Sequence, residues 1–581
     1  VTRLLPKVMR RPLPESDGSS SLLIISDPAA ITPDIKQMVK MAREILRKEY
    51  FRAGMGISGA NIGVAETGSV ILVTNEGNDR LVTTIPPVHV VIMGYEKLVP
   101  TMADVGPILE ALPRSATAQK ITSYISVLTG ATPAVDVQGN PIEKEIHIIL
   151  LDNGRLQMAK DPVMGQAWQC IRCASCLNVC PVYQMVGGHV YGDIYAGGIG
   201  VILTSFVNSD KEADKLQELC IACGRCKEVC PGKVPVTDLI VELRDRLTEK
   251  RELPGIPKFI FDKVMSNRKV FHSMLRLAAL GQKPLTLGAP TMRHLPLFGL
   301  TEFRSLPAIA TKPFRDLIKN YEQRVPANAP QIQFFIGCAT DFAYPGIGMA
   351  ALKVLNHLGY RVNLAREQSC CGTPARYMGD LKTARKLAKE NIAAMEAFGD
   401  QPIVGVCPTC IGSLAHDYVD LFEDEPQWAE RARKISQQVI EFTRFLSLLP
   451  EEQRQLLPFG QGEPNSLKVT YHDSCHLKRN LGISEEPRQL LRSIPGYEFT
   501  EMAYPDRCCG CGGSFSLKFP ELSAPILAKK LETVQETGAD VLAVACPGCL
   551  MQLKGGLDKQ GSAVKVKHVA ELVAEALAGN G

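Results

Sequence analysis

Cysteine is the reactive residue of this chain, and its spacing is regular. One run reads Cys170-Ile-Arg-Cys173-Ala-Ser-Cys176-Leu-Asn-Val-Cys180-Pro181. After thirty-nine residues a second reads Cys220-Ile-Ala-Cys223-Gly-Arg-Cys226-Lys-Glu-Val-Cys230-Pro231. Each is C-x2-C-x2-C-x3-C-P. Thiolates at this spacing hold [4Fe–4S] cubanes, three from one run and the fourth from the other. Cys170, Cys173, Cys176 and Cys230 are therefore expected to hold one cubane, and Cys220, Cys223, Cys226 and Cys180 a second. Zinc sites use two separated C-x2-C pairs, not four clustered cysteines followed by proline.

Ten more cysteines form a different pattern, present twice. Cys338, Cys370-Cys371 and Cys407-Pro-Thr-Cys410 recur about 138 residues later as Cys475, Cys508-Cys509 and Cys546-Pro-Gly-Cys549, with nearly the same gaps. Such self-similarity signals an internal duplication and two lobes related by a pseudo-twofold. Each copy offers five thiolates, one more than a cubane needs. Neighbours such as Cys370 and Cys371 are expected to point apart and serve different irons or bridge two; structural zinc is the alternative. The nineteenth cysteine, Cys511, stands where the first copy has Thr373. It is expected beside the metal, tuning it by hydrogen bonding, rather than as a ligand. His472-Asp473-Ser474-Cys475-His476 brackets the second set, whereas the first has Gly337-Cys338-Ala339-Thr340. His472, Asp473 and His476 are candidate proton-delivery residues, with helix capping as the alternative. This asymmetry makes the second site the expected reactive one and the first a relay.

The elements that must hold these cysteines are legible in outline. Strand, helix, strand, helix alternate from Gln331 onward: Gln331–Ile336, Gly346–Leu358, Leu381–Phe398, Pro402–Val406, and then Leu467–His472 in the second copy. The cysteines fall where strands end, the usual ligand face of an α/β sheet. Residues 251–330 are proline-rich around a helical stretch, Phe259–Leu280, and read as a linker that wraps or crosses between domains, its apolar residues expected in a core. Asp34 to Arg52 has helical spacing, and Leu22–Ile25 reads as one short strand in a basic arm. Gly54-Met-Gly-Ile-Ser-Gly59 formally matches G-x-G-x-x-G, but a helix precedes it and a strand, Val70–Thr74, follows, so a glycine-rich turn is expected and no dinucleotide site. His189, His416 and His568 read as loop, surface or packing residues.

Composition narrows the classes further. The chain has 581 residues, 45% hydrophobic, with formal charge +4, enough for several domains and giving no sign of nucleic-acid binding. Every cysteine from Cys170 onward sits in a motif and none precedes it, which fits metal thiolates in a reducing compartment better than disulfides. No apolar run reaches a membrane-spanning length and no leader is legible, so a cytoplasmic protein is expected, with any contact to the inner membrane face made through a partner.

Several polar blocks precede the first cysteine run: Ser58-Gly-Ala-Asn61 to Glu66-Thr67-Gly68, Asn75-Glu76-Gly77-Asn78, Pro86-Pro-Val-His89, Gly94-Tyr-Glu96-Lys97, Pro113-Arg114-Ser115-Ala116, Ser123-Tyr124 and Leu151-Asp152-Asn153-Gly154-Arg155. Their order resembles the LutB family of lactate-utilisation proteins, whose front portion is the LUD domain. That resemblance implies an α/β LUD fold related to sugar-phosphate isomerases and CoA transferases, here shortened at its front. The blocks' polar residues (Glu66, Asn75, Glu76, Asn78, His89, Arg114) are otherwise turn or cap residues. The duplicated five-cysteine pattern resembles the CCG domain of heterodisulfide reductase, LutA and glycolate-oxidase iron–sulfur subunits, which implies a noncubane [4Fe–4S] cluster per set.

The expected architecture is thus α/β and multidomain: an N-terminal arm and helix (1–48), a partial LUD domain (49–160), a helical ferredoxin-type dicluster domain (161–250), a linker with a helix (251–330), and two CCG domains (331–450 and 451–581). The combined resemblance implies a LutB portion fused to a LutA portion, as the iron–sulfur electron-transfer subunit of a lactate-oxidising complex. No flavin or nicotinamide site is legible, so hydride chemistry is expected on a flavin-linked 2-hydroxyacid dehydrogenase partner, with a quinone or other electron acceptor. A heterodisulfide-reductase-like or glycolate-oxidase-like redox subunit is the alternative.

Overall fold

The computed structural model describes residues 34–131, 134–135, 140–251, 253–286, 289–294, 299, 301–457 and 467–579. The strand expected at Leu22–Ile25 lies outside them. The chain divides into two compact units, Val1–Asp161 with Trp168–Ala174, and Pro162–Ala167 with Ser175–Gly581.

In the first unit, helix α1 (Ile35–Arg52) starts where the Asp34 side chain accepts a hydrogen bond from the Gln37 amide at 2.9 Å. None of its residues is buried among the described residues. Strands β1 (Met55–Ser58), β2 (Ile62–Val64), β3 (Ser69–Thr74), β4 (Val88–Gly94), β5 (Leu98–Val99), β6 (Tyr124–Leu128) and β7 (Glu145–Leu151) follow. They form a parallel sheet of order β1-β4-β7 and a mixed sheet of order β5-β2-β3-β6. The glycine-rich stretch is therefore a strand, not the expected turn. Gly56 is there for closeness, since a Cβ would lie 2.2 Å from the Val82 carbonyl oxygen. Strand β2 follows β1, so the helix required after a dinucleotide loop is not in that place.

The second unit opens with helices α2 (Gly197–Val207) and α3 (Val236–Arg251), which pack against each other behind the cysteine runs. The expected continuous helix over Phe259–Leu280 is instead a π-turn, Ile260–Met265, followed by α4 (Arg268–Gly281). Asn267 restarts it, accepting from the amides of Lys269 and Val270. Phe261, Val264 and Met265 are buried, while Phe259, Val270 and Met274 are exposed, so core packing holds for half of that face.

The duplicated region is two parallel sheets of one topology. In the first copy β8 (Gln331–Phe335), helix α5 (Pro345–His357), β9 (Arg361–Asn363), helix α6 (Leu381–Glu396), β10 (Ile403–Gly405) and β11 (Val439–Glu441) give strand order β9-β8-β10-β11. In the second copy β12 (Leu467–His472), β13 (Tyr497–Phe499), helix α7 (Pro520–Gln535), β14 (Val541–Val544), helix α8 (Pro547–Lys559) and β15 (Lys565–His568) give β13-β12-β14-β15. Helices α5, α7 and α8 carry proline at their first turn, where its missing N–H costs nothing. A single apolar core joins the copies: Phe334, Leu355 and Val404 of the first belong to the same cluster as Val469, Leu542 and Val573 of the second. The final helix, Val569–Gly579, packs on α5.

Candidate metal centres

The C-P-x-C halves of the duplicated pattern are helix starts. Cys407 and Cys546 are N-cap residues, each followed by proline, and Cys410 and Cys549 sit one turn in. Residues three apart share a helix face, so both sulfurs of each pair face one way. The partial positive charge of a helix start also favours thiolate.

The first copy's five sulfurs form one hydrogen-bonded chain, Cys338 to Cys370 to Cys371 to Cys410 to Cys407. Cys370 and Cys371 meet each other and then different partners, Cys338 for the first and Cys410 for the second; in a dry pocket each thiol finds the nearest polar partner, another thiol. Cys371 receives hydrogen bonds from Cys370 and Cys410 and is held well below the usual thiol range. Thr373 Oγ1 lies 3.3 Å from its sulfur. Gly337, at φ 69°, leaves room for the set, because a Cβ there would stand 3.1 Å from Cys410 Sγ. The loop is fastened by neutral groups. Asn391 Nδ2 donates to the Cys370 carbonyl at 2.9 Å and Oδ1 accepts from the Ser369 amide at 2.7 Å, while the Tyr418 hydroxyl donates to the Cys371 carbonyl at 3.0 Å.

The second copy repeats this scheme. Cys509 lies among the sulfurs of Cys508 and Cys549, the latter 3.7 Å away, and is likewise held well below the usual range. Burial first, then the charges of Cys509 and Cys546, pushes Cys475 up to about 12. The two copies meet sulfur to sulfur, Cys407 with Cys546.

His472, at the end of β12, is buried, and its ring faces the Cys509 sulfur, which it helps hold low. A ring nitrogen and the sulfurs of Cys509 and Cys549 all lie within 4.8 Å of one another, a donor set for a metal ion. His472 thus stands among the metal donors. Asp473 turns the other way, into a buried pair with Arg488 at 2.9 and 2.8 Å. His476 stacks on Tyr377, with Nδ1 3.6 Å from Cys475 Sγ. The three residues proposed for proton delivery therefore face different surroundings. His568 is a packing residue whose Nε2 is 3.0 Å from the Val406 carbonyl oxygen, and His189 and His416 are exposed.

Of the ferredoxin-type cysteines, Cys180 of the first run lies with Cys220, Cys223 and Cys226 of the second. Burial and mutual charge push Cys180 up to about 12 and Cys223 to about 11. Ala222, at φ 59°, turns its amide onto Cys220 Sγ at 3.4 Å, and the Tyr183 amide meets Cys180 Sγ at 3.5 Å. Four partly buried thiols brought together in this way suit a multivalent metal group. Cys170 and Cys173 belong to the first unit and Cys176 and Cys230 to the second, so that set rests on its spacing. In the first unit Glu96 pairs with Arg155 at 2.9 Å and with Arg172, inside the Cys170–Cys173 loop, at 3.2 Å. Glu66 accepts from the Met102 amide and Asn75 from the Ser123 amide, as turn residues do, while buried His89 meets Ser58 Oγ at 2.8 Å.

The thiols whose charges act on Cys223 are Cys475 and Cys220, and Cys223 in turn acts on Cys508. A cavity of about 190 Å³ has both Cys223 and Cys508 in its wall. Cys475 and Cys508 of the second copy thus lie beside this ferredoxin-type set. Arg479 fastens this junction, donating to Glu228 and Asp506, each at 2.7 Å. Two further buried cations line the second set and had no signal in the sequence. Arg304 comes from the proline-rich linker, and Lys530 from α7.

These sites place the protein in a definite class. Residues 20–151 match the LUD domain, 166–234 the 4Fe-4S dicluster domain, and 332–415 and 469–554 the cysteine-rich CCG domain. The probable glycolate oxidase iron-sulfur subunit of Bacillus subtilis is 32% identical over 428 residues, covering 71% of this chain and 94% of that protein. Lactate utilization protein B 1 of Bacillus mycoides is 37% identical over 294 residues, 50% of this chain and 60% of that protein. Lactate utilization protein B of Geobacillus thermodenitrificans is 37% identical over 298 residues, covering 50% and 61%. The chain thus spans about 60% of the length of these lactate-utilization relatives. It belongs to the family of the glycolate oxidase iron-sulfur subunit, and it is related to lactate utilization protein B. Among the described residues no helix is long and apolar enough to cross a membrane.

Proposed function

We propose that this chain is the iron–sulfur electron-transfer subunit of a complex that oxidises a short 2-hydroxy acid, lactate first. In this reading it carries electrons between a partner's flavin and a quinone or other acceptor. Iron–sulfur clusters, when bound, take up and release single electrons at potentials set by burial, charge and hydrogen bonds. Cys170, Cys173, Cys176 and Cys230 would hold one cubane, and Cys180, Cys220, Cys223 and Cys226 another. The two five-cysteine sets would hold a noncubane cluster each.

The observation that carries the reading is adjacency: ferredoxin-type thiols next to the second set, and the second set sulfur to sulfur with the first. Separate structural zinc sites would gain nothing from such a series. The chain's residues keep it dry and fixed. Asn391 and Tyr418 hold the first loop, Lys530 the second, and Arg479 the junction. The LUD match and the lactate-utilization relatives favour lactate. The length shared with the glycolate oxidase relative favours glycolate as the second reading.

The test is iron and acid-labile sulfide per chain, then reduction of the chain by its copurifying flavin partner with L-lactate or glycolate. About sixteen irons are expected, four per cluster, with faster reduction by lactate. About eight irons would leave the five-cysteine sets without clusters, and a rate with glycolate above that with lactate would turn the assignment to the second reading.

A further inference from the structure

Arg304 is fully buried, yet no carboxylate among the described residues pairs with it. Its guanidinium donates to Gln552 Oε1 and, at 3.1 Å, to the Ser516 hydroxyl, and its Nε has no partner. The acidic groups that act on it most are the sulfurs of Cys511 and Cys509, and Cys511 also meets it in a side-chain hydrogen bond. Lys530 is also fully buried. Its ammonium donates to Met502 Sδ at 2.9 Å and to the carbonyls of Tyr504 and Pro505 at 3.0 and 2.9 Å, again with no carboxylate in contact. The nearest acids are engaged elsewhere, Asp473 with Arg488 and Asp506 with Arg479. Two cations buried without counter-ions cost more than packing returns, unless a negative group completes the site.

The first copy has no such pair. On α6, Asn391 does the loop-fastening that Lys530 does on α7, without charge. Thr373 replaces Cys511. The cation near that set, Arg376, is balanced by Asp417 at 2.9 Å and Asp420 at 3.4 Å. The sulfur scaffold is thus duplicated while the charge around it is not.

We propose that Arg304 and Lys530 are positioning residues that hold positive charge against the second five-cysteine set, so that it accepts an electron at a higher potential than the first. The proposal rests on the iron–sulfur reading above. Uptake of one electron from an external donor adds one negative charge inside the ring of sulfurs, and no bond is made or broken. The two cations lower the cost of that charge through a low-dielectric interior, where Coulomb interactions are strong. Burial pulls Lys530 down to about 7, opposed by the charges of Cys509, Asp473 and Asp506. An electron entering the duplicated region would rest on the second set before the first is reduced.

The test is a redox titration of the full-length, cluster-loaded chain with dithionite as donor, followed by EPR, with Cys549→Ser used to assign the second set's signal. The wild type should show the higher midpoint at the second set. Arg304→Gln and Lys530→Met should each weaken electron uptake there about tenfold, a midpoint about 59 mV lower for a one-electron couple. The first set should hold its midpoint, and Arg304→Lys should restore most of the loss. Unchanged midpoints at wild-type iron and sulfide content, or equal shifts in both sets, overturn the proposal. If Arg304→Gln loses its iron, Lys530→Met decides, and loss of iron in both counts against tuning. A wild-type chain with about eight irons and no signal from the second set overturns the iron–sulfur reading itself, a distinguishable outcome.

Discussion

The second cysteine of each adjacent pair, Cys371 or Cys509, lies among the sulfurs of its neighbours and is held well below the usual thiol range, as is Cys546 in the second set. The residues that matter next are those that leave the sulfurs room. Gly337→Ala would pay about 1–2 kcal/mol for a left-handed Cβ residue and push a methyl group onto Cys410 Sγ. We expect it to lose about four irons per chain while the ferredoxin-type signals persist, as iron analysis with EPR would show. Glu96 is the shared carboxylate of Arg155 and Arg172. Glu96→Gln takes it away and should destabilise the first unit by about 3 kcal/mol, read as a lower denaturation midpoint and faster proteolysis around Arg172. The cysteines were legible because ligand spacing is local along the chain. Arg304 was not, because a lone arginine among prolines reads as solvated linker until a fold closes over it. His472 was legible as a reactive residue but not as a metal donor, since its distance to Cys509 and Cys549 exists only after β12 and α8 have packed.

Among the elements, strands at the duplicated cysteines were readable to within a residue or two. Leu467–His472 is one strand as expected, and expected Gln331–Ile336 is Gln331–Phe335. Alternating apolar strands and amphipathic helices announce themselves by period. Strand β1 did not, because its glycines imitate a turn. The packing explanation is testable: Gly56→Ala should cost about 1–3 kcal/mol through overpacking against Val82, measured by urea unfolding. Helix α3 carries a pH-sensitive position. Asp245 is buried with one carboxyl oxygen unpartnered, and burial pushes it up to about 8, opposed by Arg376 and Arg244 and helped by Glu242 and Glu249. A carboxyl raised in the folded state contributes stability at pH below its unfolded value, and that stability is lost as pH rises through the folded value. Asp245→Asn should therefore gain on the wild type from pH 6 to 8, by at most about 1.4 kcal/mol per pH unit, with no such trend below pH 4. Thermal unfolding across that range would check it.

At the scale of the molecule, the second unit is joined by side chains that no local pattern marks. Arg244 donates to the Cys220 carbonyl at 2.8 Å and to the Tyr377 carbonyl at 2.9 Å, binding the ferredoxin-type loop to the first copy. Arg479, its side chain 6% exposed, ties the same region to the second copy. Glu228 is largely solvated, so only part of a buried pair's worth is at stake. Arg479→Leu should cost about 1–3 kcal/mol and raise hydrogen exchange in the Arg225–Glu228 turn. The repeat, the cysteine inventory and the α/β alternation were legible from the chain alone. The order of the sets in space was not, because no spacing rule says which lobe a distant cysteine run will dock against.

The common core of the two lobes has a consequence in time. Helix α5 is covered by Val569–Gly579, which leaves the ribosome long after Cys410. At bacterial or eukaryotic rates that interval is roughly 10–30 s. Throughout it the earlier lobe has reactive sulfurs made and its hydrophobic surface half covered. Metal uptake by that lobe is therefore expected to follow the synthesis of Val569–Gly579, which covers α5, rather than that of Cys410.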